Sequence, residues 1–305
     1  MSIEASGRAR FGDLCQTDVA LGPRTTLKVG GRCPLYFEPR DDDQLVEVVS
    51  WLHARGVPLF VLGGGSNLLI DDDGIDGAVI GMRGLRGLEL DPTGLSARVE
   101  AGFPLARLVS LCVPRGMAGA EGLCGIPGTV GGATFMNAGG HQRELGDLVA
   151  AVELVDERGR RHLRRAPELR FGYRRSHLPG LVVATWLRFE PGDPATIRRQ
   201  AEALLERKRA TQPLKERSSG CVFKNPPNQS AGRLIEATGL KGLRLGAAQV
   251  STRHANFIVN LGNASGADVL GLIDMVQAMV KRRFGGQLQL EVARPGSQMM
   301  LSRAG

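Results

Sequence analysis

Residues 121–145 read EGLCGIPGTVGGATFMNAGGHQREL, a stretch rich in glycine and other small residues and poor in charge. Glycine has no side chain and tolerates positive φ, so such a segment lets backbone N–H groups converge on an anionic or flat ligand. We therefore expect a phosphate-bearing cofactor to bind here. The alternative is that the glycines mark ordinary turns. The glycines concerned are Gly125, Gly128, Gly131, Gly132, Gly139 and Gly140.

A second glycine run lies roughly sixty residues earlier in the chain. Residues 60–69 read FVLGGGSNLL, in which an apolar, strand-like run leads into three glycines, a serine and an asparagine. Two such loops are harder to attribute to turns alone. Neither loop has the strand-GxGxxG-helix pattern of a Rossmann dinucleotide site or the GK[ST] of a phosphate-binding loop. The sequence therefore predicts a different cofactor-binding fold.

Length and composition are those of a soluble globular protein. The chain has 305 residues and 42% hydrophobic content, which is enough for two domains with packed cores. No apolar run approaches the ~20 residues of a membrane helix, and residues 1–14 lack the apolar region of a secretion signal. We expect a cytoplasmic protein that does not contact a membrane. Scattered cysteines without zinc-like spacing predict reduced thiols and no metal site: Cys15, Cys33, Cys112, Cys124 and Cys221.

The formal net charge is +8, which suits anionic small molecules such as nucleotide sugars or a phosphorylated nicotinamide, and also nucleic acid. Basic clusters occupy residues 158–165, 206–209 and 281–283, and no aromatic residue is interleaved among them. The basic clusters therefore offer no aromatic side chains on which nucleic-acid bases could stack. We expect solvated basic faces and no nucleic-acid partner, with a basic nucleic-acid-binding protein as a distant alternative.

The hydrophobic pattern predicts an α+β chain. Helices are expected at residues 43–56, 104–113 and 195–209, with two more that begin at Ser230 and Ser265. A hairpin is expected over residues 151–164, and the other expected strands are 59–62, 78–82, 95–101, 181–189, 254–261 and 287–292. We place a domain boundary within residues 193–213, where a surface helix leads to Gln212-Pro213.

Three further stretches complete a recognisable set: FGYRRS at residues 171–176, SSGCVFKNP at 218–226 and LEV at 290–292. Together with GGGSNLL and GIPGTVGG, they resemble the shorter subclass of the UDP-N-acetylenolpyruvoylglucosamine reductase (MurB) family. The resemblance runs from about residue 25 to residue 296 and includes TTLKVGG, TQPL, LIEATGLKG and VSTRHANFIVN. The combination is much more specific than any single motif.

The resemblance implies a two-lobed FAD-binding domain of the vanillyl-alcohol-oxidase type, followed by an α+β substrate-binding domain that closes over the flavin. The implied boundaries are an N-terminal segment 1–24, an FAD-binding domain 25–193 with lobes at about 25–84 and 85–193, and a C-terminal domain 194–305. In the family, NADPH reduces bound FAD, and reduced FAD passes hydride from N5 to the enolpyruvyl ether of a UDP-sugar. The product is the peptidoglycan precursor UDP-N-acetylmuramate. We expect a monomer.

Three motif positions correspond to catalytic groups of the family. Arg174 would clamp and polarise the substrate carboxylate, and Glu291 would help to stabilise the enolic intermediate. Cys221 stands where the family has the serine that donates a proton, and a thiol with a pKa of about 8.5 is intrinsically a better acid than an alcohol. The alternatives are a surface ion pair for Arg174, a solvent-facing strand position for Glu291 and an inert apolar filler for Cys221.

The resemblance also implies binding residues. Tyr173, Lys224 and Asn225 would bind the UDP-sugar, although Lys224 and Asn225 also suit a turn cap. His141 stands where the family often has tyrosine, and both flavin contact and a solvated side chain stay open for it. Together with Cys221, it motivates the alternative of a same-fold FAD-dependent oxidoreductase with altered substrate or reduced activity. The implied cofactor positions are Gly63, Gly64, Gly65, Ser66, Asn67, Gly125, Ile126, Pro127, Gly128, Thr129, Gly131, Gly132, Asn137, Ala138 and Gly139.

Overall fold

The structure is a computed structural model that describes residues 2–92, 94–140 and 143–295. Three main sheets follow one another along the chain, with four, five and four strands within these residues. Helices cover the sheets, and a cavity lies where the three sheets meet. Among the described residues, none of the helices combines the length and the apolarity that crossing a bilayer requires.

The first sheet has the order β1-β2-β4-β3, with β1 antiparallel to β2 and the other pairs parallel. Both of its faces are buried, because alternate residues along β3 enter two cores: Leu59 packs in a large core, and Phe60 in a small one on the opposite face. Burial on both faces explains why β3 and β4 read as continuous apolar runs. The elements are α1 (Ile3–Phe11), β1 (Cys15–Ala20), β2 (Arg32–Phe37), α2 (Asp42–His53), β3 (Leu59–Leu62) and β4 (Ala78–Gly81).

The second sheet is antiparallel, in the order β5-β6-β12-β8-β9. Its Val99 and Leu154 pack in the same large core as Phe37 of the first sheet, so the first two sheets share one hydrophobic interior. Ile197 and Ala201 of the following helix join that core too. The elements are β5 (Leu88–Leu90), β6 (Ser96–Glu100), α3 (Leu105–Cys112), β7 (Met117–Ala118), α4 (Val130–Met136), β8 (Val149–Val155), β9 (Arg161–Arg165), β10 (Arg170–Gly172), β11 (Arg175–His177), β12 (Leu181–Arg188), β13 (Glu190–Pro191) and α5 (Pro194–Thr211).

The third sheet, antiparallel in the order β14-β17-β16-β15, packs with two helices around a C-terminal core. That core also contains Leu27, Val29 and Leu69 from the N-terminal part of the chain. Asp72 binds across the same junction, since its carboxylate accepts hydrogen bonds from Gly266 N at 2.6 Å and Ala267 N at 2.9 Å. The elements are β14 (Arg217–Cys221), α6 (Ala231–Ala237), β15 (Arg244–Leu245), β16 (Ala248–Val250), β17 (Phe257–Asn260) and α7 (Gly266–Phe284).

The expected helices and the hairpin are confirmed, with ends shifted by a few residues. The expected strand at residues 287–292 is wrong. This segment crosses from the third sheet to the first and pairs through isolated bridges, Leu290 with Phe223 and Ala293 with Leu68. The apolar alternation arises because Leu288 and Val292 are buried in the C-terminal core, and not because the segment lies within a sheet.

Candidate functional site

The two glycine loops lie side by side and line one cavity of about 350 Å³. The β10–β11 turn, β14 and the crossing segment after α7 also contribute to its wall. Most positions expected to bind cofactor or to act in catalysis line this cavity together: Gly63, Gly64, Gly65, Ser66, Asn67, Ile126, Pro127, Gly128, Thr129, Gly131, Gly132, Ala138, Gly139, Arg174, Cys221 and Glu291.

Several of the glycines allow the two loops to contact each other. A Cβ on Gly64 would lie 2.6 Å from Gly128 Cα, which is closer than real Cβ contacts allow. Ser66 Oγ donates to Pro127 O at 3.2 Å, so a hydrogen bond also joins the loops. Gly132 differs, because it is exposed and a Cβ there would meet Thr129 Oγ1 at an ordinary 3.6 Å. Packing between the two loops therefore explains why residue 64 is glycine. At Gly132, the absent side chain leaves space open towards the cavity.

The remaining wall is largely apolar and was not predicted from the sequence. Leu181 and Val182 lie at the start of β12, and Phe135 and Met136 at the end of α4. Nothing in an apolar run distinguishes a residue that faces a cavity from one that faces a core. The lining residues missed by the sequence analysis are Val61, Leu68, Met82, Ala101, Ala133, Phe135, Met136, Leu178, Gly180, Leu181, Val182, Ser219, Gly220 and Ala293.

Arg174 lies in the two-residue turn between β10 and β11, where Gly172 pairs with Arg175. Its φ of 54° is left-handed, a conformation that turns normally assign to glycine and that strains other residues by on the order of 1 kcal/mol. The turn directs the side chain into the cavity wall. Arg174 Nε donates to Glu291 Oε1 at 2.7 Å, and Nη2 donates to Gly139 O at 2.8 Å.

Glu291 is held by the first glycine loop. Asn67 Nδ2 donates to Glu291 O at 3.1 Å, and Asn67 O accepts from Ala293 N at 3.0 Å. Its side chain is 15% exposed, so the solvent-facing alternative does not describe its position. Burial raises the pKa of the Glu291 carboxyl, and the positive charges of Arg174 and Lys224 oppose that rise.

Cys221 reaches the cavity through a β-bulge. Ser218 lies opposite Val259 and Cys221 opposite Phe257, so β14 contains one extra residue. Gly220 supplies the φ of 80° that such a bulge needs, and bulges commonly re-aim side chains at functional sites. Burial, reinforced by the charge of Glu291, raises the pKa of the Cys221 thiol to about 12. At neutral pH the thiol therefore keeps its proton.

The three expected UDP-sugar residues lie together beside the cavity and do not line it. Asn225 N donates to Tyr173 Oη at 3.5 Å, and the Tyr173 ring lies 5.0 Å from the Arg174 guanidinium. Lys224 is close enough to Glu291 to lower its pKa. Asn225 Oδ1 accepts from Ala231 N at 3.0 Å, so its side chain also caps the start of α6.

Two expected cofactor positions are not part of the wall. Gly125 packs against α5, where a Cβ would lie 3.0 Å from Lys208 Cδ. Asn137 is 2% exposed, and its side-chain amide bonds to Glu144, Gly172 and Gly146. The reason in both cases is that protein groups already occupy the space around them. His141 lies outside the described residues.

Two family profiles match the chain in sequence order. One, described as an FAD binding domain, matches residues 34–163, and the other, described as the UDP-N-acetylenolpyruvoylglucosamine reductase C-terminal domain, matches residues 212–294. Proteins named UDP-N-acetylenolpyruvoylglucosamine reductase include one from Synechococcus sp. (strain JA-3-3Ab), 43% identical over 96% of this chain and 95% of its own length. Another, from Moorella thermoacetica, is 44% identical over 90% of this chain and 91% of its own length.

Solved structures agree with these matches. The crystal structure of UDP-N-acetylenolpyruvylglucosamine reductase from Thermus caldophilus superposes with a TM-score of 0.78 at 41% identity, covering 91% of this chain and 97% of that chain. Berberine bridge enzyme, with a TM-score of 0.50 at 15% identity over 64% of this chain and 44% of its own, shares the fold alone. The expected two-lobed fold of the vanillyl-alcohol-oxidase type is thereby confirmed. With relatives above 40% identity over nearly its whole length, this chain belongs to the UDP-N-acetylenolpyruvoylglucosamine reductase family.

Proposed function

We propose that this protein reduces the enolpyruvyl group of UDP-N-acetylglucosamine enolpyruvate to UDP-N-acetylmuramate in the cytoplasm, for peptidoglycan synthesis. NADPH is the electron donor, and FAD is the bound cofactor. The observation that carries the proposal is the convergence of Arg174, Cys221 and Glu291 on the cavity lined by both glycine loops. These three residues come from three separate parts of the chain, and together they offer a cation, a proton donor and a second acid.

The cavity residues fit FAD. The apolar side chains of Phe135, Leu178 and Val182 suit a flat aromatic ring system, and Gly132 leaves open space where a Cβ would otherwise project. Residues 63–67 and 126–132 would hold the cofactor. When bound, FAD supplies the redox chemistry, in which it accepts hydride from NADPH and delivers it to the substrate.

The chain supplies charge stabilisation and the proton. As the double bond is reduced, negative charge develops on the substrate carboxylate and its α-carbon, and the guanidinium of Arg174 stabilises that charge. Cys221 Sγ donates its proton to the α-carbon, and the resulting thiolate is stabilised by the nearby Arg174 charge before solvent reprotonates it. Glu291, whose pKa is raised by burial, is a second acidic group beside Arg174 and Cys221 and would help to stabilise the enolic intermediate.

The UDP part of the substrate would bind at the cluster of Tyr173, Lys224 and Asn225 beside the cavity. Lys224 brings a positive charge that suits a diphosphate. We further propose that the protein acts as a monomer. In place of the expected boundary at residue 193, we propose one at the C-terminal end of α5, a proposal supported by the packing of Ile197 and Ala201 in the large core.

The test is a two-step anaerobic experiment. The purified protein should show flavin absorbance, which NADPH should bleach faster than NADH does. Addition of enolpyruvyl-UDP-N-acetylglucosamine should then restore the oxidised spectrum. A flavin that is reduced and stays reduced with this substrate would support a same-fold enzyme with another substrate, and a protein that binds no added FAD would contradict the proposal as a whole.

A further inference from the structure

Arg174 is held from behind the cavity as well as from within it. Glu144 Oε1 lies 3.5 Å from Arg174 Nη1, on the side away from Glu291. Both partners are mostly buried, with 18% of the Arg174 side chain and 29% of the Glu144 side chain exposed. An ion pair with limited solvent access is screened less than one on the surface. Arg174 therefore lies between two carboxylates, that of Glu144 outside the cavity lining and that of Glu291 in the crossing segment.

Glu144 is itself fixed by a buried amide. Asn137 Nδ2 donates to Glu144 Oε2 at 2.6 Å and to Gly172 O, the residue before the turn, at 3.0 Å. Asn137 has a left-handed φ of 45° at the end of α4, which turns its side chain towards the β10–β11 hairpin. One buried residue thus connects the hairpin backbone, the Glu144 carboxylate and, through it, the Arg174 guanidinium.

The backbone of the second glycine loop reinforces this arrangement. Gly139 forms a bridge with Glu144, and Gly139 O accepts from Arg174 Nη2 at 2.8 Å. A Cβ on Gly139 would lie 2.6 Å from Glu144 Cα, so glycine is needed for the close approach. The carbonyl and the carboxylate together orient two edges of the guanidinium.

We infer that Glu144 is a positioning residue for Arg174 and that Asn137 holds it in place. The inference rests on the proposed function, in which Arg174 binds the substrate carboxylate. An entering carboxylate competes with Glu291 for Arg174 Nε, whereas the contacts to Glu144 and Gly139 use Nη1 and Nη2 and persist. Glu144 therefore keeps Arg174 in its productive orientation when the bond to Glu291 is exchanged for substrate.

The test compares Glu144→Gln with the wild type in both half-reactions. Reduction of the flavin by NADPH should change less than twofold, because Arg174 is not needed for that step. For reoxidation by the enolpyruvyl substrate, the ratio of the limiting rate to the half-saturating substrate concentration should fall about tenfold. A loss of this size is within the range for directly coupled residues. Glu47→Gln is the matched control, because Glu47 also pairs with an arginine, Arg10 at 2.8 Å, and lies in α2 outside the cavity lining.

A double-mutant cycle separates positioning from a general structural effect. In an Arg174→Lys background, Glu144→Gln should cost less than twofold, because the group it positions has already been replaced. The inference is overturned if Glu144→Gln is reoxidised as fast as the wild type, or if it causes the same tenfold loss in both backgrounds. Failure of the wild type itself to be reoxidised would instead overturn the proposed function, and this inference with it.

Discussion

Arg174 Nε and Glu291 Oε1 lie 2.7 Å apart, in a hydrogen bond that joins residues 117 positions apart in the chain. The bond connects the separate two-stranded β10–β11 hairpin to the segment that crosses from the third sheet to the first. It closes the cavity on the side where Cys221 also lies. The state of this ion pair therefore bears on how substrate enters and how charge is balanced during reduction.

Glu291→Gln should slow reoxidation by the enolpyruvyl substrate about 100-fold, a typical contribution of a positioned acid, and leave reduction by NADPH unchanged. In the wild type, reoxidation should fall as pH rises through the Glu291 pKa, which burial places above its ordinary 4.5, because the neutral acid is the active form. The variant should lose this dependence. Stopped-flow measurements of reoxidation from pH 5 to 9 check this pH dependence. Gln289→Ala, at an exposed position of the same segment, is the control. A Glu291→Gln variant with the pH profile of the wild type would contradict the role of Glu291 as an acid.

Cys221→Ser and Cys221→Ala should behave differently. Serine keeps an O–H of similar size, so reoxidation should stay within about tenfold of the wild type, whereas alanine removes the proton donor and should cost about 100-fold or more. Both variants should bind flavin and be reduced by NADPH normally. Single-turnover reoxidation of each variant is the measurement. An alanine variant as fast as the wild type would mean that the thiol is an inert filler.

Gly64→Ala and Gly132→Ala form a matched pair. At Gly64 the new methyl group would meet Gly128 Cα at 2.6 Å, so the loops must separate and the melting temperature should fall. At Gly132 the methyl group has room within the protein, so stability should be kept while FAD affinity drops. Thermal melts of the apoprotein and flavin titrations separate the two effects. Unchanged FAD affinity in Gly132→Ala would mean that no ligand approaches that residue closely.

Stability should fall as pH rises above 9. Burial raises the thiol pKa from 9.0 to about 11 for Cys15 and Cys33 and to about 12 for Cys112. Above pH 9 these thiols ionise in the unfolded chain but stay protonated in the folded one, so proton release favours unfolding. Urea unfolding between pH 8 and 10 measures the slope. Cys112→Ala should have a lower free energy of unfolding at every pH, but that free energy should fall less steeply with pH than in the wild type. An equal slope in the variant would show that the Cys112 thiol does not contribute to the pH dependence.

Local patterns in the sequence sufficed for much of the fold. The helix that begins at Ser265 and the strand from Leu181 are confirmed, because capping residues and apolar runs act over a few positions. The two glycine loops were located for the same reason. The strand expected at residues 287–292 shows the limit of this approach. Alternation reports which side chains are buried, and it cannot report whether a neighbouring strand is present to pair with.

The candidate site depends on contacts that no short stretch encodes. Asn67 was expected to bind cofactor and lines the cavity, and its side chain also holds the backbone of Glu291, 224 positions away. Glu144 carries no signal in its own surroundings, since its partners Asn137 and Arg174 are brought to it by α4 and the β10–β11 hairpin. The motif resemblance nevertheless located Arg174, Cys221 and Glu291, because motif matching does not require knowledge of these contacts.

The C-terminal core, against which the third sheet packs, includes residues that the ribosome adds long before that sheet is made. Leu27, Val29 and Leu69 emerge more than one hundred residues ahead of β14, the first strand that encloses their core. Asp72 likewise leaves the exit tunnel well before the helix whose first amides it binds. The newly made N-terminal part therefore carries an exposed apolar surface until translation of the chain is nearly finished. During cotranslational folding, that surface stays uncovered until the residues of the C-terminal core have been made.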